Sequence, residues 1–158
     1  MKEKIDEITK KVEDMYKKYP YPSPSTDPSQ TNELLNLLKI FELESRIKLE
    51  GKNILDAGTG SGHRITNVAE FYKKSNFLGI DVSKTSLQIA KQLIKQKKIT
   101  NLKLENINLM NEFSKIGKFD IILCMGVLHH LSNPGTGLKN IKNVLEKDGI
   151  IFLYLYGK

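Results

Sequence analysis

The amino-acid sequence predicts an α/β fold: a doubly wound, mainly parallel sheet preceded by N-terminal helices. From Lys52 onwards, short apolar segments alternate with segments of helical periodicity, which is the pattern of βαβ units. The first apolar segment runs into a glycine-rich turn at 58–62 that opens the next helical segment. Ligands of such sheets bind beyond the carboxyl ends of the strands, so we expect the functional site at that edge.

Composition excludes several classes of protein. The 158 residues include a single cysteine, which leaves no disulfide framework and no cysteine-rich zinc site. The longest apolar stretch, residues 121–128, is far shorter than the ~20 residues that span a bilayer. No secretory signal follows Met1, so we expect a cytoplasmic protein with no membrane partner. Beyond His129 and His130 the one further histidine is His63, and no carboxylate stands at metal-ligand spacing, so we predict no metal site.

The net charge of +7 concentrates after residue 50, and lysine carries most of it because Arg46 and Arg64 are the only arginines. A basic body of this kind is compatible with RNA binding. Arginine is the usual residue for bidentate phosphate contacts, and the sequence has no basic stretch interleaved with aromatic residues. RNA therefore stays an alternative to a small-molecule substrate.

Residues 1–49 are predicted to form N-terminal helices joined by a Tyr/Pro-rich cap segment. Apolar side chains recur at helical spacing over 2–18, namely Ile5, Ile8, Val12 and Met15 or Tyr16. The prolines of 19–28 end that helix and favour an extended segment. A second helix is expected at 31–49, with an apolar side made by Leu34, Leu35, Leu38, Phe41 and Ile47.

Residues 50–158 are predicted to form the sheet and the helices that connect its strands. The strands are expected at 53–57, 76–81, 101–106, 119–124 and 150–156. The helices are expected at 62–74, at 84–98 and after Pro134 and Gly135. Ser83 can cap the helix at 84–98, and the pair Asp148 and Gly149 is expected to turn the chain into the last strand.

The glycine-rich turn follows an aspartate, in the order Asp56-Ala57-Gly58-Thr59-Gly60-Ser61-Gly62. Glycine lets a ligand lie against bare backbone, and the helix N-terminus beyond the turn favours an anion. A dinucleotide fingerprint, G-x-G-x-x-G, fails in both frames because His63 or Ile65 stands at its third glycine. The spacing D-x-G-x-G-x-G instead resembles the first motif of the class I S-adenosylmethionine-dependent methyltransferases.

The resemblance to this family covers roughly residues 50–156. The run Gly79-Ile80-Asp81-Val82-Ser83 resembles the family's second motif, an acidic residue at the tip of the second strand. Residues 119–124 and 126–131 resemble its fourth-strand region. Residues 145–150 resemble its entry to the fifth strand, without the usual proline.

This resemblance implies a Rossmann-like methyltransferase core with S-adenosylmethionine as cofactor and S-adenosylhomocysteine as its product. By it, Asp56 and the glycine backbone hold the methionyl end, and Asp81 holds the ribose. Asn108 stands where the family usually has an acidic residue facing the adenine amine, and Ile107 either packs on the adenine or simply ends its strand. The candidate cofactor-binding residues are Asp56, Gly58, Gly60, Gly62, Asp81, Val82, Ile107, Asn108, Cys124 and Tyr21.

His129 and His130 follow the fourth strand, where the methyl group and its acceptor should meet. A histidine there can act as a general base, so both are candidate catalytic residues; the alternative is a structural histidine that bonds loop backbone. For Cys124 the alternative is a buried structural thiol. Residues 19–22 resemble a segment that caps the cofactor in one branch of the family, and the alternative is a plain linker.

The expected activity is methyl transfer to an unidentified acceptor, which we take to be a small molecule. The alternatives are an RNA methyltransferase and a non-catalytic or partner-dependent cofactor-binding module. Family members add a helix and a hairpin after the fifth strand, whereas this sequence stops at Lys158. We therefore expect either a truncated piece of a longer enzyme, or a homodimer or other partner that covers the edge of the fifth strand.

Overall fold

The computed structural model describes residues 6–19, 21 and 32–156. Apart from Tyr19 and Tyr21, the extended conformation expected for 19–28 lies outside the described residues. So do residues 2–5 and 31, at which the two N-terminal helices are expected to begin, and residues 157 and 158. Across the described ranges, no helix has the length and the apolar character needed to cross a membrane.

Five parallel strands form one sheet in the order β3-β2-β1-β4-β5. They are β1 (Asn53–Ala57), β2 (Asn76–Asp81), β3 (Leu102–Asn106), β4 (Phe119–Met125) and β5 (Leu145–Tyr154). The predicted doubly wound α/β fold is thus confirmed. The strand order reverses between β1 and β4, so a crevice opens there beyond the carboxyl ends of the strands.

Helices cover both faces of the sheet. They are α1 (Glu7–Lys18), α2 (Glu33–Ser45), α3 (His63–Phe71), α4 (Lys84–Gln96) and α5 (Pro134–Asn143). Successive residues of a strand point to opposite faces, so Ile54 of β1 packs with Leu38 of α2, while Leu55 packs with Ile141 of α5. The central strands are buried on both faces, which explains why they are mainly apolar.

Two helix caps fix where the crossover helices begin. The Ser83 hydroxyl accepts a hydrogen bond from the Ser86 N–H at 3.2 Å, which confirms the predicted cap of α4. The Asn133 side chain accepts one from the Thr136 N–H at 3.0 Å, and Pro134 occupies the first turn of α5. Both caps lie directly after the carboxyl-end loops, so they also fix the rim of the crevice.

Within the described residues, three predicted boundaries are wrong by three residues or more. Helix α2 ends at Ser45 rather than 49, because Arg46 takes a left-handed conformation (φ 62°) and the Glu42 carboxylate accepts the Leu49 N–H at 2.7 Å. Ile47 is therefore outside the helix and exposed. Helix α3 likewise ends early, at Phe71.

The third wrong boundary concerns β5, which begins at Leu145 instead of 150. Its pairing with β4 is irregular between Phe119 and Ile121, and the expected turn at Asp148 and Gly149 lies within that irregularity. A Cβ on Gly149 would lie 3.0 Å from the Asp120 carbonyl oxygen, so the missing side chain lets the strand stay against β4.

Helix α1 lies over the carboxyl ends of the strands and packs on α4 and on the 3-10 turn Leu128–His130. Asp6 caps it by accepting the Thr9 N–H at 3.0 Å. Its inward face differs from the predicted one, since Thr9 is buried whereas Ile8 is exposed. The N-terminal segment is therefore the roof of the crevice.

We predict that Gly62→Ala destabilises the fold more than Gly51→Ala. Both glycines have positive φ (77° and 80°), so alanine at either one costs about 1–2 kcal/mol. Only at Gly62 would the new Cβ meet a neighbour, the Cβ of Ala90 in α4 at 2.7 Å. Overpacking of this kind adds about 1–3 kcal/mol, which urea unfolding of the two variants measures as a difference. Equal losses would contradict the close packing of α3 on α4.

Candidate functional site

The glycine-rich turn after β1 is held close to the tip of β2. The N–H groups of Gly58 and Thr59 both donate to the Ile80 carbonyl, at 2.8 and 3.0 Å. A Cβ on Gly58 would lie 2.3 Å from a methyl group of Val127, and φ at this residue is 88°. No side chain fits between the turn and the loop after β4, so bare backbone forms this part of the wall.

Asp81 ends β2 and joins the two turns on either side of it. One carboxylate oxygen accepts the Gly60 N–H and the other accepts the Ser83 N–H, both at 2.8 Å. Burial raises the pKa of Asp81, and these backbone donors act against the rise. The carboxylate lines the crevice while two backbone donors fix its position.

A cavity of about 500 Å³ opens above the carboxyl ends of the strands. This volume falls within the usual range of small-molecule sites. Its wall is mainly apolar, and its titratable side chains other than tyrosines are Arg64, Asp81 and His130. Seven of the predicted site residues line it, namely Gly58, Gly60, Asp81, Val82, Ile107, Asn108 and Tyr21, together with His130 of the predicted catalytic pair.

The loop after β3 closes one end of the cavity. Asn106 ties that loop to β2, because its side-chain amide donates to the carbonyls of Asp81 and Val82, both at 2.8 Å. The Asn108 side-chain oxygen accepts the Met110 N–H at 2.9 Å. An amide oxygen has two lone pairs, so Asn108 keeps one for a ligand. Ile107 adds a half-buried apolar contact at the same end.

The opposite end of the cavity is aromatic. His130 lies on the 3-10 turn after β4 with its ring 6.2 Å from that of Tyr16, edge to face. Tyr154 and Tyr156 approach from the end of β5, with ring centroids 5.4 Å apart. Burial, and then the neighbouring His129, lower the pKa of His130, so its imidazole is neutral at pH 7.

The roof touches the glycine-rich turn directly. The Tyr21 carbonyl accepts the Ser61 N–H at 3.2 Å, and a Cβ on Gly60 would lie 2.6 Å from that carbonyl oxygen. Arg64, in the first turn of α3, lies 5.6 Å from the Tyr21 ring centroid in a cation–π contact. The described part of the Tyr/Pro-rich segment therefore covers the cavity.

Four predicted site residues lie behind the cavity wall. Gly62 faces α4, and Cys124 is fully buried, where burial raises the pKa of its thiol to about 12. His129 packs between the ring of His130, at 4.1 Å, and the ring of Tyr156, at 5.1 Å. Asp56 lies beneath the glycine-rich turn, where burial raises its pKa to about 6 against the lowering effects of Thr59 and Arg64.

Sequence reasoning missed several wall residues. Arg64 had a usable signal, since it is one of two arginines and follows the glycine-rich turn. Tyr16, Tyr154 and Tyr156 had none, because only the tertiary fold brings α1 and the end of β5 to this edge. Among the described residues, no cluster of three or more histidine, cysteine or acidic side chains could hold a metal ion.

Comparison with known proteins places this arrangement in a family. Residues 48–156 match the family model described as a methyltransferase domain. An uncharacterized protein of Rickettsia prowazekii is 35% identical over 140 residues, which cover 87% of this chain and 56% of that one. A ubiquinone biosynthesis O-methyltransferase of Coxiella burnetii is 28% identical over 120 residues, covering 75% of this chain and 50% of that one.

A solved structure gives the same result. PKMT2 from Rickettsia typhi in complex with AdoHcy superposes with a TM-score of 0.62 at 36% identity, covering 66% of this chain and 21% of that chain. The chain spans about half the length of the curated relatives it matches, and the share is between 38% and 56% in three of them.

We predict that Asp56→Asn changes the pH dependence of stability. The folded pKa of about 6 lies above the ordinary 3.8, so the contribution of Asp56 to stability is full below pH 4 and is lost as the pH rises through 6. Between pH 4 and pH 8, the free energy of unfolding of the variant should therefore rise by on the order of 2–3 kcal/mol relative to that of the original chain.

Urea unfolding at both pH values tests this prediction. Asp148→Asn, an exposed substitution on β5, is the matched control and should leave the pH dependence unchanged. If the free energies of unfolding of the original chain and of Asp56→Asn differed by the same amount at pH 4 and at pH 8, the raised pKa would be contradicted.

Proposed function

The chain belongs to the class I S-adenosylmethionine-dependent methyltransferases, and on that premise we propose that its cavity binds S-adenosylmethionine and serves methyl transfer to a small-molecule acceptor. The observation that carries the proposal is the Asp81 carboxylate, which lines the cavity beside glycine backbone that no side chain could replace. A carboxylate at this point can accept hydrogen bonds from vicinal hydroxyl groups of a ribose.

The residues of the wall fit the parts of the cofactor. Gly58 and Gly60 leave room for a ligand against the backbone, and Ile107 and Asn108 offer an apolar surface and an amide to an adenine. Arg64 is the cation of the wall and is suited to a carboxylate, which guanidinium groups bind in bidentate geometry. The cofactor supplies an electrophilic methyl group on a sulfonium; the protein supplies orientation and a covered site.

Asp56 contributes from behind the glycine-rich turn. The Asp56 side chain is buried, and burial disfavours its ionised form and raises its pKa to about 6. A positively charged amino group bound nearby would favour the ionised form and offset that cost. We therefore assign Asp56 to the methionyl end of the ligand as an indirect electrostatic partner.

The volume of the cavity and the name of one relative support a small-molecule acceptor. A covered cavity of about 500 Å³ suits a small molecule beside the cofactor, and one relative is named a ubiquinone biosynthesis O-methyltransferase. RNA is the second candidate, favoured by the net charge of +7. RNA binding that weakens steeply with salt would support it, and absence of binding at low salt would remove it.

We also propose a cellular compartment and a partner surface for the protein. The single buried cysteine is in keeping with a reducing cytoplasm, which we propose as its compartment. In the described sheet β5 is an edge strand; Leu153 and Tyr154 of that strand are exposed, as is Tyr156 just after it. A second copy or another partner over that edge stays a prediction, which light scattering of the purified chain can test.

Calorimetric titration tests the proposed ligand. We expect micromolar binding of S-adenosylmethionine, no binding of NAD, and at least tenfold weaker binding of S-adenosylmethionine in Asp81→Ala, because the ribose loses a charged acceptor. Asp120→Ala is the matched control. The Asp120 carboxylate also accepts a hydrogen bond from a backbone N–H, that of Asn53 at 2.9 Å, but it lies at the other end of the sheet.

Two results would contradict the proposal. One is a folded chain that does not bind S-adenosylmethionine. The other is equal affinity in Asp81→Ala and in the original chain, which would mean that the ligand lies elsewhere.

A further inference from the structure

We propose that the aromatic end of the cavity binds an uncharged aromatic hydroxyl compound as the methyl acceptor, and that a ring nitrogen of His130 receives the hydroxyl proton. This inference rests on the proposed function, because it concerns the same cavity. The aromatic end is defined here as Tyr16, His130, Tyr154 and Tyr156, with Met125 and Leu131 beside them.

The shape of the wall favours a flat ligand. Its rings come from α1, from the 3-10 turn after β4, and from the end of β5 with the two residues that follow it. They meet edge to face, with centroid separations of 6.2 Å for Tyr16 and His130 and 5.4 Å for Tyr154 and Tyr156. Such spacing leaves ring faces and edges available to another aromatic ring, which prefers offset or T-shaped contacts at 4.5–7 Å.

The charges of the wall disfavour an ammonium acceptor. Asp81 is the one carboxylate that lines the described part of the cavity, and both of its oxygens already accept backbone N–H groups. The lining residues at the aromatic end carry no acidic side chain. A cation moved from water into this end would lose hydration without gaining a counter-charge, so a neutral acceptor fits better.

His130 provides the chemistry that a hydroxyl acceptor needs. A phenolic hydroxyl has a pKa near 10 and keeps its proton at neutral pH, so its oxygen needs a base when it attacks. The imidazole of His130 is neutral because burial and His129 lower its pKa, and among the described residues its ring nitrogens have no hydrogen-bond partner. The ionisable groups whose rings approach it are His129 on the same turn and Tyr16 of α1, while Tyr156, which follows β5, contacts His129.

The hydroxyl oxygen gives its proton to the free ring nitrogen of His130 and forms a bond to the methyl carbon. The electron pair of the broken carbon–sulfur bond stays on sulfur as a thioether, and the resulting imidazolium returns its proton to water. The organic product is an aryl methyl ether.

His129 positions this base. Both of its ring nitrogens are buried without a hydrogen-bond partner in the described residues, so the ring acts here through packing. Its ring contacts both the ring of His130, at 4.1 Å, and the ring of Tyr156, at 5.1 Å, and such contacts restrict the movement of His130. His129 is therefore a positioning residue, whereas His130 lines the cavity.

Ligand binding in the presence of S-adenosylhomocysteine tests the inference without turnover. The probes are 2-naphthol and 2-naphthylmethylamine, which share a ring system and differ in charge at neutral pH. In protein saturated with S-adenosylhomocysteine, we expect 2-naphthol to bind at least tenfold more tightly than the amine. The substitution Tyr16→Ala should weaken the binding of 2-naphthol at least fivefold. Phe71 is an exposed aromatic residue outside the cavity, so Phe71→Ala should leave this binding unchanged.

A spectroscopic measurement addresses His130. The absorption of bound 2-naphthol reports its ionisation, and His130 as proton acceptor should lower the apparent pKa of the bound naphthol relative to His130→Gln. Failure of S-adenosylhomocysteine to bind would remove the proposed function together with this inference. Binding of S-adenosylhomocysteine with equal or tighter binding of the amine would overturn the inference alone, as would an unchanged naphthol pKa in His130→Gln.

Discussion

The Asp81 carboxylate holds together the two turns from which the cavity floor is built. Its oxygens accept the Gly60 N–H on one side and the Ser83 N–H on the other. Gly60 belongs to the turn after β1 and Ser83 begins α4, so one side chain at the tip of β2 positions two backbone segments. Charge-assisted hydrogen bonds of this kind are stronger than neutral ones, which suits a group that is partly desolvated. Ligand recognition and local structure therefore depend on the same carboxylate.

From that floor the cavity divides into a polar end and an aromatic end. The polar end combines glycine backbone, Asp81 and the amide of Asn108, all at the tips of β1, β2 and β3. The aromatic end takes its rings from the tips of β4 and β5 and from α1. Helix α1 packs on α4 and on the 3-10 turn after β4, so it lies over both ends of the crevice. The strand order places the two ends on opposite sides of the switch point between β1 and β4.

The sequence was sufficient for elements whose determinants are local. Strands β1 and β2 have the predicted limits because each begins at an asparagine, continues in a short buried segment and ends at a turn, and the cap at Ser83 is a local hydrogen bond. The end of α2 was mispredicted because it depends on the contact between Glu42 and Leu49, and β5 because Gly149 packs on Asp120. The aromatic end could not be predicted, since residues near both ends of the chain meet only in the folded protein. Likewise, only the geometry of the 3-10 turn decides that His130 lines the cavity and His129 packs behind it.

The central claim is that the cavity above β1, β2 and β3 holds an adenosyl cofactor through Asp81 and the glycine-rich turn. Amide chemical-shift mapping by NMR with S-adenosylhomocysteine tests it most directly, because each backbone N–H reports its own surroundings. The account predicts that the largest shifts fall on Gly58, Gly60, Asp81 and Ile107. Shifts concentrated at the opposite end of the sheet, around Asn53, Asn76 and Asn101, or absent from a folded chain, would contradict it.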